Sequence, residues 1–141
     1  MKLDWMVLAN YADDRDGLLN MIGTGWDTIT VGAPLEGAPD GVFAVAQGTL
    51  VVRLLFHQTE TGQEHKFAIT VLDEDGAEIG KIEGGMRVER NKGLPAGWDQ
   101  NVNIVVPLTG FPLPHPGLYT INVQVNGQFL GDRPFRVLKG Y

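Results

Sequence analysis

Several runs of this chain alternate apolar and polar residues at every second position, the period of a strand with one buried face. The clearest run is Tyr119, Ile121, Val123 and Val125 alternating with Thr120, Asn122 and Gln124. Asn126-Gly127 follows, a pair that tolerates the positive φ angles of a type I′ turn, and Gln128 to Leu130 begins the return strand. A two-residue turn sets Val125 opposite Gln128 and Val123 opposite Leu130. That register puts Leu130 on the core face and Phe129 on the other, which makes Phe129 beside Gln124 a candidate contact residue.

Thr49 to His57 is the most apolar segment. Leu50, Val52, Leu54 and Phe56 form one face, and Val51 and Leu55 join Arg53 on the other. Such a strand is either central in its sheet or covered by a partner. In His65 to Leu72, Phe67, Ile69 and Val71 alternate with polar or small residues, and the loop Gln58 to Glu64 with its Thr61-Gly62 turn predicts that the two segments form a hairpin. Asp73-Glu74-Asp75-Gly76 turns the chain into Ala77 to Glu83, where Ile79 and Ile82 fall out of period and predict a bulge near Gly80.

Leu3 to Asn10, Leu18 to Thr24, Trp26 to Val31 and Val102 to Val106 read as further strands, with Tyr11 to Gly17 as a solvated loop. Gly32 to Gly48 begins as a surface connection, and order is expected to resume around Val42 to Ala46. Pro112, Pro114 and Pro116 lack the amide donor of a sheet ladder, so Thr109 to Gly117 is a stiff extended connection. No stretch of ten residues repeats at 3.6, which limits helix to a turn or two. Strand runs punctuated by turns, with no helical crossovers, predict an all-β fold: a two-sheet antiparallel β-sandwich of about eight or nine strands in a single domain spanning residues 1–141.

Composition narrows the chemistry. The chain has 141 residues, a net charge of -6 and a pI near 4.9, and its 11 Lys and Arg are scattered, which disfavours nucleic acid and anionic membranes as partners. Asp4 follows Lys2 closely and the apolar run Trp5 to Ala9 is short, so no signal peptide is read. The expected location is the cytoplasm, or a phage particle. There is no cysteine and no serine, which excludes both as nucleophiles. Gly23-x-Gly25 lacks the third glycine and the following helix of a dinucleotide site, and no cofactor is implied.

The pattern Pro116-Gly117-x-Tyr119-x-Ile121-x-Val123-x-Val125-Asn126-Gly127 resembles the closing hairpin of bacterial immunoglobulin-like sandwiches. With Trp5 to Ala9 and Gly23-x-Gly25-Trp26-Asp27, the chain as a whole is similar to a small bacterial or phage-borne β-sandwich family of unknown function. The resemblance implies an immunoglobulin-like, Greek-key fold serving as a binding or structural module. It carries no activity with it, because a fold does not determine a function. The cysteine pair of antibody domains is absent.

Two constellations are candidate sites. A hairpin centred on Thr61 would bring His57 opposite His65, with Glu64, or else Glu60, as a third ligand. Two histidines and a carboxylate hold zinc with an open fourth position, the basis of a metal-dependent hydrolase. The alternative there is a solvated hairpin end. Trp26 and Trp98 could form a platform for a carbohydrate or another small ligand, against the alternative that each is a core residue. The missing nucleophiles, the absent cofactor motif and the doubly apolar strand Thr49 to His57 favour a non-catalytic module for protein contact or assembly. Its partner would be another protein or a second copy in a homo-oligomer.

Overall fold

The computed structural model describes residues 1–31 and 43–140. Among them run twelve strands: β1 (Lys2–Ala9), β2 (Tyr11–Arg15), β3 (Leu18–Ile22), β4 (Thr28–Val31), β5 (Phe43–Ala44), β6 (Thr49–Phe56), β7 (Glu64–Asp73), β8 (Glu78–Arg87), β9 (Gln100–Pro107), β10 (Pro112–Leu113), β11 (Gly117–Val125) and β12 (Gln128–Lys139). The helical content of these residues is a single 3-10 turn, Gln58–Glu60. The number exceeds the eight or nine expected. Two of the additional strands, β5 and β10, are two-residue segments that pair with each other, and β2 occupies the stretch read as a loop. The connection expected from Gly32 lies largely outside the described residues.

The fold is all-β and sandwich-like. A three-stranded sheet has the order β1-β6-β9, and a five-stranded sheet has the order β4-β12-β11-β7-β8. Alternation explains which side of each faces in. Leu50, Val52, Leu54 and Phe56 of β6 share one buried cluster with Ile69 and Val71 of β7, Tyr119, Ile121, Val123 and Val125 of β11, and Phe135 and Val137 of β12. The predicted bulge near Gly80 is present, where Val71 pairs with Gly80 but Leu72 pairs with Glu78. Phe67 lies across Gly84 so closely that an added Cβ there would fall 2.5 Å from the ring, which is why this strand position carries no side chain.

Three expectations are corrected. Thr49 to Phe56 and Glu64 to Asp73 do not form a hairpin: β6 pairs with β1 and β9, while β7 pairs with β11 and β8. The segment between them crosses from one sheet to the other. Pairing is not wholly antiparallel, since β4 runs parallel to β12. In the final hairpin the turn is as predicted, with positive φ at Asn126 and Gly127 and Val125 opposite Gln128. Beyond it, however, Gln124 faces Phe129 and Val123 faces Gly131, so Leu130 is the extra residue of a bulge. Leu130 still packs against the core and Phe129 still faces outward.

The apolar second face of β6 is covered from within the chain. Val7, Val51 and Val105 stand side by side on β1, β6 and β9, on the side away from the shared core, and Val51 is fully buried. The hairpin of β2 and β3 lies against β6 and β9 on that side, where Asn103 Nδ2 donates to Asp14 Oδ2 at 3.3 Å. Ala12 pairs with Met21 and Asp14 with Leu19, which makes Ala12, Leu19 and Met21 the inward face of the hairpin. Tyr11, Leu18 and Ile22 point to solvent.

Candidate functional site

The proposed histidine pair is not assembled. His57 is exposed and caps the 3-10 turn: its Nδ1 accepts from the Thr59 amide at 3.3 Å, and its own amide donates to Glu60 Oε1 at 3.0 Å. His65 is only 5% exposed and meets Phe56 edge-on, with ring centroids 5.4 Å apart. Its Nε2 lies 2.7 Å from the Glu60 carbonyl. A carbonyl oxygen only accepts, so Nε2 carries the proton and Nδ1 accepts from Asn126 Nδ2 at 2.9 Å. Both ring nitrogens are therefore occupied. Glu64 and His65, being successive residues of one strand, project to opposite faces of the sheet. Among the described residues no group of three His, Asp or Glu side chains is placed to hold a metal.

The two tryptophans do not form one platform either. The Trp26 ring lies against Gly48, just before β6, and lines a cavity of about 10 Å³ with Leu8, Phe111 and Phe135; its buried Nε1 has no hydrogen-bond partner among the described residues. Trp98 is 62% exposed, in a loop whose Gly97 amide donates to Gln58 Oε1 just after β6. The eight residues of β6 separate the two ends by roughly 26 Å at strand rise. The cavity beside Trp26 is too small for a ligand larger than one water.

Phe129 belongs to a larger feature. On the face of the five-stranded sheet turned away from the core, Glu83, Ala68, Gln124 and Phe129 form one row across β8, β7, β11 and β12. The centre of this face is uncharged: Thr70 and Leu72 on β7, and Leu118, Thr120 and Asn122 on β11. Charges stand at its borders, as Glu64 and Lys66 at one end of β7, Glu78, Lys81 and Glu83 on β8, and Asp132 and Arg136 on β12. Phe129 and Leu138 are each 53% exposed and Leu118 is 51% exposed. Between Phe129 and the β8 edge, the missing side chains of Gly85 and Gly127 leave a groove of about 690 Å³ bordered by Lys66, Lys81, Glu83 and Gln124.

Electrostatics fasten the borders of this face. Lys81 Nζ lies 3.0 Å from Glu83 Oε1, and this bond holds the ammonium pKa above its ordinary value. At the opposite border Arg136 Nε donates to Thr28 Oγ1 at 3.1 Å, and its Nη2 lies 3.4 Å from Asp27 Oδ1. The Thr28 hydroxyl, and after it Arg136, lower the Asp27 carboxyl below its usual range. Leu118 and Leu138 were missed in the sequence because they stand just outside the alternating run, where parity alone assigns them to a polar face.

No curated protein matches the chain. Residues 4–138, which run from β1 to β12 and so take in both sheets and the whole outer face, match the model of DUF6941, a family of unknown function, and the chain belongs to that family.

Proposed function

We propose that the chain is a non-catalytic, immunoglobulin-like β-sandwich that makes protein contacts through the outer face of its five-stranded sheet. The observation that carries this reading is the distribution of residues on that face. An uncharged centre ringed by charges, with Leu118, Phe129 and Leu138 among the seven exposed large apolar side chains of the described residues, has the anatomy of a protein interface. Phe129 is already half covered, so burying the rest contributes roughly half of the ~1.5–3 kcal/mol of a full phenylalanine burial.

Strand order supports the immunoglobulin-like part. β6 and β9 take the places of strands B and E in one sheet, and β7, β8, β11 and β12 those of C, C′, F and G in the other. Tyr119, near the start of β11, donates its hydroxyl to the His115 carbonyl upstream, as the corner tyrosine of such domains does. Two residues on, where disulfide-bonded domains carry a cysteine, Ile121 is fully buried. Among the described residues no helix is long and apolar enough to cross a membrane. The cytoplasm or a phage particle is the location that the net charge of -6 suits.

The test is a comparison of baits. Wild-type protein, Phe129→Glu and Trp98→Ala are immobilised side by side. The expected result is a partner retained by wild type and Trp98→Ala and lost with Phe129→Glu. Equal recovery by all three, or a strict monomer that recovers nothing, contradicts the proposal.

A further inference from the structure

We propose that β8 pairs antiparallel with the β8 strand of a second copy, joining two five-stranded sheets into one continuous sheet. This rests on the contact reading and deepens it by naming a second copy as one partner. β8 is the last strand of its sheet, ten residues long and free of proline, and nothing among the described residues pairs with its far side. The other edges are less open. β4 has four residues, β1 is bulged between Leu3 and Trp5, and β9 is flanked by the hairpin of β2 and β3. A long open edge presents a row of unpaired backbone donors and acceptors.

The backbone direction of that row follows from two hydrogen bonds. The Val88 carbonyl, just past β8, accepts from the Gly62 amide on the β7 side, while the Lys66 carbonyl of β7 accepts from the Asn126 amide on the β11 side. On this side of the bulge, Ile82, Gly84 and Met86 therefore turn their backbone groups toward β7, and Lys81, Glu83 and Gly85 turn theirs outward. A two-fold axis through Ile82 makes Lys81 of each copy a hydrogen-bonded neighbour of Glu83 of the other, with the two Ile82 side chains meeting on the core side.

Charge selects this register. On the outer face, Lys81 and Glu83 already lie together within one strand, and the two-fold turns them into a square of alternating sign. An axis through Lys81 or Glu83 opposes like charges, and one through Gly84 sets Lys81 against Arg87. An axis through Gly85 opposes Glu83 to Arg87 but pairs only the end of the strand. Gly84 and Gly85 keep the edge low enough for a neighbouring strand to approach. One edge strand alone makes a small interface, so the association depends on concentration.

Sedimentation velocity of the full chain at about 1 μM to 1 mM, the range of weak complexes, tests the proposal. The expected mass rises from 15.4 kDa toward twice that value. Lys81→Glu places two glutamates against two and is expected to weaken association at least about tenfold, while the exchange Lys81→Glu with Glu83→Lys restores it. Far-ultraviolet circular dichroism checks that each variant is folded. A mass fixed at 15.4 kDa throughout, or unchanged association in Lys81→Glu, overturns the proposal. So does failure of the exchanged variant to recover, since in the Gly85-centred register Glu83→Lys sets a like charge against Arg87. Phe129→Glu leaves this association intact, so loss of the dimer and loss of the Phe129 contact are separate outcomes.

Discussion

Asn126 and His65, 61 residues apart, are joined by a hydrogen bond from Asn126 Nδ2 to His65 Nδ1 at 2.9 Å. The same amide uses its Oδ1 to accept from the Lys66 amide at 2.9 Å, and its backbone adopts a φ of 52° in the type I′ turn. One residue thus shapes the final turn and holds the first residues of β7. Asn126→Gly keeps the backbone conformation and removes both side-chain bonds, so we expect a loss of about 1–3 kcal/mol in urea unfolding. An unchanged midpoint would mean that the amide only shapes the turn.

Tyr119→Phe removes the hydroxyl that donates to the His115 carbonyl and accepts from the His115 amide. We expect a loss of about 1–3 kcal/mol at neutral pH. Burial, and after it the carboxylates of Asp73 and Glu74, holds the phenol pKa above its ordinary 10.0. The folded state then keeps a proton that the unfolded chain releases. This contribution to stability is complete below pH 10.0 and is lost as pH rises through the folded pKa. Wild type should lose stability in that alkaline window and Tyr119→Phe should lose less, as read by denaturant midpoints across pH.

Ala12→Asp and Leu18→Asp place the same carboxylate on the two faces of one hairpin. Ala12 is buried on the side that covers Val51, so an aspartate there is expected to cost about 1–3 kcal/mol. Leu18 faces solvent, and its substitution should stay within about 0.5 kcal/mol. Equal effects in thermal unfolding would show that the hairpin does not cover the sheet.

His57→Ala and His65→Ala separate the structural role of the histidines from a metal role. Losing the exposed cap should cost about 0.5–2 kcal/mol. Losing buried His65 removes a core contact with Phe56 and strands the Asn126 amide, for about 2–4 kcal/mol. Metal content of protein purified without an affinity tag should be the same in wild type and both variants. A zinc lost in both variants would restore the hydrolase reading.

Period-two alternation made the strands, the Asn126-Gly127 turn and the outward Phe129 legible, because each depends on residues close in sequence. The partner of β6 was not legible. A polar loop between two apolar strands is compatible with a hairpin or with a crossing between sheets, and only the competition among β1, β9 and β11 for neighbours decides. The zinc reading failed with that pairing. Tyr11 to Arg15 read as a loop because of its charges, yet Asp13 is held by Asn20 and Arg15 across and along the hairpin, and Ala12 alone marks the buried side. The contact face shows in sequence only as Phe129, since Leu118 and Leu138 join it through β12 and its pairing with β11 and β4.

The most direct measurement is photo-crosslinking in cells of the source, with a benzophenone amino acid placed at Phe129 in one protein and at Trp98 in another. A discrete adduct is expected from position 129, on the outer face of the five-stranded sheet, and none of matching yield from position 98. Equal labelling from both positions, or no adduct from position 129, would contradict the proposed contact.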